Sequence, residues 1–306
     1  MAIDPCYHDM LAGPNSAMEP PPSDLSLDTY RGLVETPLLD TPGVPMHRVV
    51  DRQIVWADRS ITVRLYYPTP DTGLPAMLFY HGGGFVLCSI NSHDAMCRDL
   101  AAKSGAVVVS VDYRRAPGTP FPGPLDDCYD ALVWVADHAA DVGIDGSRLA
   151  VCGDSAGGNL AIATALRARD HGPAIRHMGI IYPMIDPDCG FASIERQSAG
   201  PVLSRDIIGW FWDCYLGAGG NRQDPQVAVL HADLRDLPPA SVLTAEYDPL
   251  CDEGEAFARA LRQSGNAVVA RRYLGMAHGF LSMPVLTPVA GLATTDLAQD
   301  LRAALA

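Results

Sequence analysis

Gly153-Asp154-Ser155-Ala156-Gly157 has the spacing G-x-S-x-G. The apolar run Leu149 to Cys152 precedes it, and a helical pattern follows from Asn159 to Asp170. Strand, tight turn and helix in that order leave a serine hydroxyl exposed at a sharp reversal, the arrangement of a nucleophile elbow. The following helix directs its positive N-terminal end at the same point, where an anion is stabilised. Glycine-rich strand-to-helix turns are common in α/β proteins, so the motif alone is equally compatible with a merely tight turn. What decides is whether the chain supplies a base, an acid and donors for an oxyanion.

A serine hydroxyl needs a base within hydrogen-bond reach. On such an elbow the partners follow in the order serine, acid, histidine. His171, His177, His231 and His278 are the histidines after Ser155. The strand Ser241 to Ala245 runs into Glu246-Tyr247-Asp248-Pro249-Leu250, where the proline holds Asp248 out of helical geometry. Past Asp248 one histidine remains, His278, in the glycine-flanked stretch Gly275 to Phe280. Asp252 is the rival acid, near the start of the next helix; Asp248 is preferred because it is nearer the strand end.

Backbone donors for an oxyanion are expected where glycines let the main chain approach a ligand closely. His81-Gly82-Gly83-Gly84 follows a strand and precedes the elbow, the placement of an H-G-G-G oxyanion loop. His81 reads as a hydrogen-bonder that orients the loop rather than as a base. A dinucleotide-binding turn lacks its third glycine, and Lys103 is not in a phosphate-loop context. No metal-ligand spacing is present, so neither metal nor cofactor is expected.

Alternating elements must position these residues. Strands are expected at Val49 to Ala57, Ile61 to Tyr67, Ala76 to Tyr80, Ala106 to Val111, Leu149 to Cys152, Met178 to Tyr182, Ala240 to Ala245 and Ala267 to Leu274. Helices are expected at Asn91 to Ser104, with an N-cap at Asn91 or Ser92, and at Asp126 to His138, Asn159 to Asp170, Glu253 to Ser264 and Leu292 to Leu305. Such alternation predicts a parallel sheet covered by helices. It lapses between Asp186 and Ala228, where an aromatic helix, Ile207 to Leu216, stands in an insertion with no evident strand. Trp210, Phe211 and Trp212 there either line an acyl pocket or glue the insertion to the core. Residues 1–45 are rich in proline, with a weak helical pattern from Asp24 to Leu33 broken by Pro37 and Pro42; they form a tail or a packed arm.

The bulk properties narrow the rest. The chain has 306 residues, 48% of them hydrophobic, enough for one large domain or a core with a lid. Net charge is −14 and Lys103 is the one lysine, so no basic stripe exists for nucleic acid. Eight cysteines at irregular spacings, without a C-x-x-C pair, read as reduced thiols of a cytoplasmic protein. Neither a signal peptide nor a membrane span is read from the sequence.

Taken together, His81-Gly82-Gly83-Gly84-Phe85, Asp112-Tyr113-Arg114 with Ala116-Pro117, Gly153 to Gly158, Tyr247 to Leu250 with Asp252-Glu253-Gly254, and His278-Gly279-Phe280 resemble the bacterial hormone-sensitive lipase family (family IV) of carboxylesterases. The resemblance spans about Val49 to Met283. It implies the α/β-hydrolase fold, a mostly parallel eight-stranded sheet flanked by helices, with a helical cap. It divides the chain into a cap segment at 1–45, core at 46–188 and 229–306, and a cap insertion at 189–228. It implies Ser155 as nucleophile, His278 as base, Asp248 as orienting acid, and the amides of Gly83, Gly84 and Ala156 as the oxyanion hole. It further implies hydrolysis of short- to medium-chain acyl esters, and a homodimer through the last strand and helix, around Ala267 to Leu274. An amidase, lactonase or arylformamidase on the same machinery is the alternative, with a non-catalytic small-molecule receptor behind it. One departure is Gly118, where the family pattern Tyr-Arg-Leu-Ala-Pro-Glu has glutamate; it removes an acceptor that braces nearby loops.

Overall fold

The computed structural model describes residues 3–8, 17–39, 43–198 and 202–306. In chain order its strands are β1 (Ala17–Met18), β2 (Arg48–Val55), β3 (Ser60–Tyr67), β4 (Leu74–Tyr80), β5 (Val107–Asp112), β6 (Ile144–Asp154), β7 (His177–Ile181), β8 (Val202–Leu203), β9 (Ala240–Tyr247) and β10 (Val268–Ala277). The α-helices are α1 (Leu27–Leu39), α2 (Asp94–Ser104), α3 (Gly123–Asp137), α4 (Ala156–His171), α5 (Ala192–Arg196), α6 (Arg205–Leu216), α7 (Cys251–Gln263) and α8 (Pro288–Leu305).

Eight strands form one sheet in the order β10-β9-β7-β6-β4-β5-β3-β2. β2 and β3 pair antiparallel, β3 runs antiparallel to β5, and the remaining neighbours are parallel. Alternate side chains go to opposite faces. Leu78, Val109, Val151 and Ile180 join one core with helices α3, α4 and α7. Met77, Phe79, Val108 and Cys152 join the other, under α2 and α8. Because β4 and β6 run parallel in register, Tyr80 lies opposite Gly153, so the glycine loop and the serine turn emerge side by side. That is where ligands bind in open α/β sheets, beyond the carboxyl ends of the strands.

Several expected boundaries move. α2 is capped by His93, not by Asn91 or Ser92; the Ser92 hydroxyl instead accepts from the Ser89 amide at 3.0 Å and caps a loop. α3, α4 and α8 begin earlier than expected, at Gly123, Ala156 and Pro288. Prolines open α3 and α8, a tolerated position because the first turn needs no N–H donor. α1 runs two residues beyond Pro37, which costs a single hydrogen bond near the helix end; Pro42 lies outside the described residues. The insertion does contain a strand: β8 pairs parallel with β1, tying the insertion to the N-terminal segment. Two residues are too few to show any periodicity.

The loop after β5 is tied to α3. The Asp127 carboxylate, fully buried in α3, accepts from the Arg114 amide at 2.9 Å and from its guanidinium at 2.8 and 2.9 Å. Arg59 adds a further contact to it at 3.0 Å. The Asp127 end of this multiply bonded, charge-assisted pair is buried, while the Arg114 side chain is 36% exposed.

Candidate active site

Ser155 joins the last residue of β6 to the first of α4 with φ 54° and ψ −119°. A non-glycine residue there is strained and persists only where its surroundings fix it. Here the Ser155 amide donates to the Ile181 carbonyl at 2.8 Å, and its own carbonyl accepts from Gly158 and Met184, each at 3.0 Å. The turn is also tight: a Cβ on Gly157 would lie 1.9 Å from the Tyr80 carbonyl oxygen. Only glycine allows α4 to begin this close to β4.

His278 follows β10, and Gly279 takes a left-handed conformation (φ 75°) that turns the chain there. The His278 Nε2 atom lies 3.0 Å from Ser155 Oγ, and Nδ1 lies 2.8 Å from Asp248 Oδ2. An ionised carboxylate only accepts, so Nδ1 carries the proton and Nε2 offers its lone pair to the serine hydroxyl. Asp248 follows β9 and is fully buried; its Oδ1 accepts from the Leu250 amide at 2.8 Å, which fixes the carboxylate plane. The rival acid, Asp252, sits in the first turn of α7 and pairs with Arg196 at 3.0 Å.

The glycine loop borders this row. Gly83 and Gly84 have φ of 103° and 62°. A Cβ on Gly84 would fall 2.1 Å from the ring of Phe211, so this backbone lies directly against α6. The Gly82 amide is taken by Asp154 Oδ1 at 2.8 Å. Among the described hydrogen bonds outside helices and strands, none uses the amide of Gly83, Gly84 or Ala156 as donor. Those three are the amides expected at an oxyanion hole. His81 does not meet Ser155. Its ring bonds the Gly82 carbonyl at 2.8 Å and stacks on Tyr113 at 4.3 Å. Burial, followed by the neighbouring His93, pushes its pKa down to about 3, so it is neutral.

A sequence profile described as the alpha/beta hydrolase fold matches residues 77–282, which include the glycine loop, the serine turn, the acid and the histidine. The chain belongs to the α/β-hydrolase family. Its relatives narrow the branch. Esterase LipI of Mycobacterium tuberculosis is 38% identical over 282 residues, covering 89% of this hydrolase and 88% of that protein. An ethyl acetate hydrolase of Pseudomonas putida is 40% identical over 230 residues, covering 73% and 72%. The solved structure of a hyperthermophilic esterase from the archaeon Pyrobaculum calidifontis superposes with a TM-score of 0.90 at 38% identity and covers both chains fully. The hydrolase thus falls in the hormone-sensitive-lipase-type, family IV branch of esterases.

Two residues of the hydrolase that have no part in the site as read from the sequence, Asp154 and His93, support the glycine loop. Asp154 is buried, and His93 Nε2 approaches its Oδ1 at 3.2 Å. Burial pushes the Asp154 pKa up, but His93 and the Gly82 amide outweigh it and the net shift is downward. Asp154 therefore remains an anion that grips Gly82. An aspartate at the apolar end of β6, beside a run of glycine amides, was the available signal. Ser193 on α5 plays a comparable part at the acid loop. Its hydroxyl donates to the Pro249 carbonyl at 2.6 Å and accepts from the Asp252 amide at 3.1 Å, holding the acid loop from the insertion.

Proposed function

We propose that this chain is a serine carboxylesterase for short- to medium-chain acyl esters, working through Ser155, His278 and Asp248. The observation that carries the reading is the continuous chain from Ser155 Oγ through both His278 nitrogens to the buried Asp248 carboxylate, at 3.0 and 2.8 Å. Ser155 Oγ attacks the ester carbonyl carbon as its proton passes to His278 Nε2. The carbonyl oxygen becomes an oxyanion, and the amides of Gly83, Gly84 and Ala156 hold it. The bond to the alcohol oxygen then breaks, and the alcohol leaves with the proton from His278. Water, deprotonated by the same nitrogen, attacks the acyl-enzyme and releases the acid.

Residues 1–45 and 189–228 form the cap in this reading, over a core of 46–188 and 229–306; the β1–β8 pairing supports treating the first two as one unit. A homodimer through β10 fits the reading too, since β10 ends the sheet with Val269 and Leu274 exposed. No helix of the described residues is long and apolar enough to cross a membrane, and eight free cysteines agree with a reducing, cytoplasmic setting.

Turnover of p-nitrophenyl esters of increasing acyl length, against anilide and lactone substrates, tests the substrate class. Ser155→Ala should abolish it. Asp248→Asn should lower kcat by about 10³–10⁴, because an amide leaves the imidazole in the wrong tautomer. Asp252→Asn should be near wild type. Full activity in Ser155→Ala, or the opposite ranking of the two aspartates, overturns the assignment.

A further inference from the structure

How the oxyanion loop is held from outside leads further, on the basis of the esterase reading above. The Gly83 carbonyl accepts from the amides of Val86 and Leu87 at 3.0 and 2.8 Å. A trans peptide is planar and its C=O and N–H point opposite ways, so fixing that carbonyl also fixes the direction of the Gly84 N–H. The Val86 peptide is itself gripped from the N-terminal segment. Arg31 of α1 donates from Nε to the Val86 carbonyl at 2.9 Å and from Nη2 to the Ala116 carbonyl at 3.1 Å. The Ala116 amide in turn donates to the Phe85 carbonyl at 3.0 Å. One guanidinium thus spans the junction between the oxyanion loop and the loop after β5. Its side chain is 20% exposed, so these bonds are largely shielded from water. One turn along α1, Glu35 accepts from the Ser89 hydroxyl, adding a second grip on the same loop.

We infer that Arg31 is a positioning residue for the oxyanion hole: through the Val86 and Ala116 carbonyls it makes the N-terminal helix set the direction of the Gly84 amide. Apolar packing alone would suffice to glue α1 down. The two donors to two different carbonyls need the planar fork of arginine, which a lysine ammonium does not reproduce.

Kinetics and inhibitor binding on Arg31→Ala and Arg31→Lys test this. Wild-type turnover of p-nitrophenyl butyrate is measured first, and its absence would sink the esterase reading together with this inference. With wild type active, Arg31→Ala should lower kcat roughly tenfold or more, short of the ~10²–10³ for deleting a donor outright. KM should stay within about twofold, the pattern for an interaction made only in the transition state. Affinity for a trifluoromethyl ketone, which forms a tetrahedral oxyanion adduct on serine, should fall by the same factor as kcat/KM. Arg31→Lys should show the same split, milder, with its thermal midpoint near wild type. Unchanged kcat and ketone affinity in both variants overturn the inference. So does a loss that only follows the folded fraction, with ketone affinity per folded molecule intact.

Discussion

Glu253 is a buried carboxyl beside the acid loop. It is 1% exposed; its Oε1 accepts from the Ile185 amide at 2.7 Å, and its Oε2 has no partner among the described residues. Burial pushes its pKa well above the ordinary glutamate range; the Ile185 amide opposes this, and Asp186 and Asp248 add to it. The folded chain therefore holds this proton more tightly than the unfolded chain. Its contribution to stability is full below the ordinary glutamate value and is lost as pH rises toward the folded one. Glu253→Gln keeps the Oε1 acceptor and cannot ionise. Its urea midpoint should rise relative to wild type as pH climbs above the ordinary glutamate value of 4.5, whereas a gap that stays constant with pH would contradict the upward shift. Ser155, Asp248 and His278 were legible in the sequence because each stands beside residues that force a turn, and because chain order leaves one histidine after Asp248. Arg31, Asp154 and Glu253 were not. Their partners lie 55, 72 and 68 residues away, and single charged residues carry no periodicity to announce them.

At the scale of elements, α6 presses an aromatic wall on the glycine loop. Phe85 stacks on Tyr215 at 3.8 Å and lies 5.2 Å from Trp212, while Phe211 covers Gly84. Of the two sequence readings of this aromatic run, the gluing one is visible: Trp212 is fully buried and Phe211 packs on Gly84. The Tyr215 hydroxyl is buried with no partner among the described residues. Tyr215→Phe should therefore leave stability unchanged or raise it, read as the denaturant midpoint; a loss above about 1 kcal/mol would mean the hydroxyl is bonded. The eight strands of the main sheet and its flanking helices followed from alternating apolar runs. β1 and β8 escaped notice because a pair of residues has no pattern, and α5 because five residues with a single buried apolar side chain, Ile194, show no helical period.

Over the whole molecule, the proposed site draws on segments near residues 31, 83, 155, 193, 248 and 278, so no contiguous piece of the chain carries it. The sheet brings four of them to one end, and the other two reach in from the N-terminal segment and the insertion. The open edge of β10 is a different surface. Leu274, 51% exposed, and Val269, 44% exposed, are the changes to make there. With both replaced by lysine, light scattering should read a monomer that keeps its esterase rate, while a wild type already monomeric would remove the dimer. The single lysine lies at the opposite end from the catalytic mouth. α2 runs back along the sheet from the glycine loop, and its last turn, carrying Lys103, leads into Val107, which pairs with Ala76 near the start of β4. There Lys103 holds Asp99 at 2.7 Å and the Gly291 carbonyl at 2.9 Å. Amine-directed coupling to a solid support has this one side-chain target, and attachment through it would anchor the catalyst by its base with the mouth facing the solution.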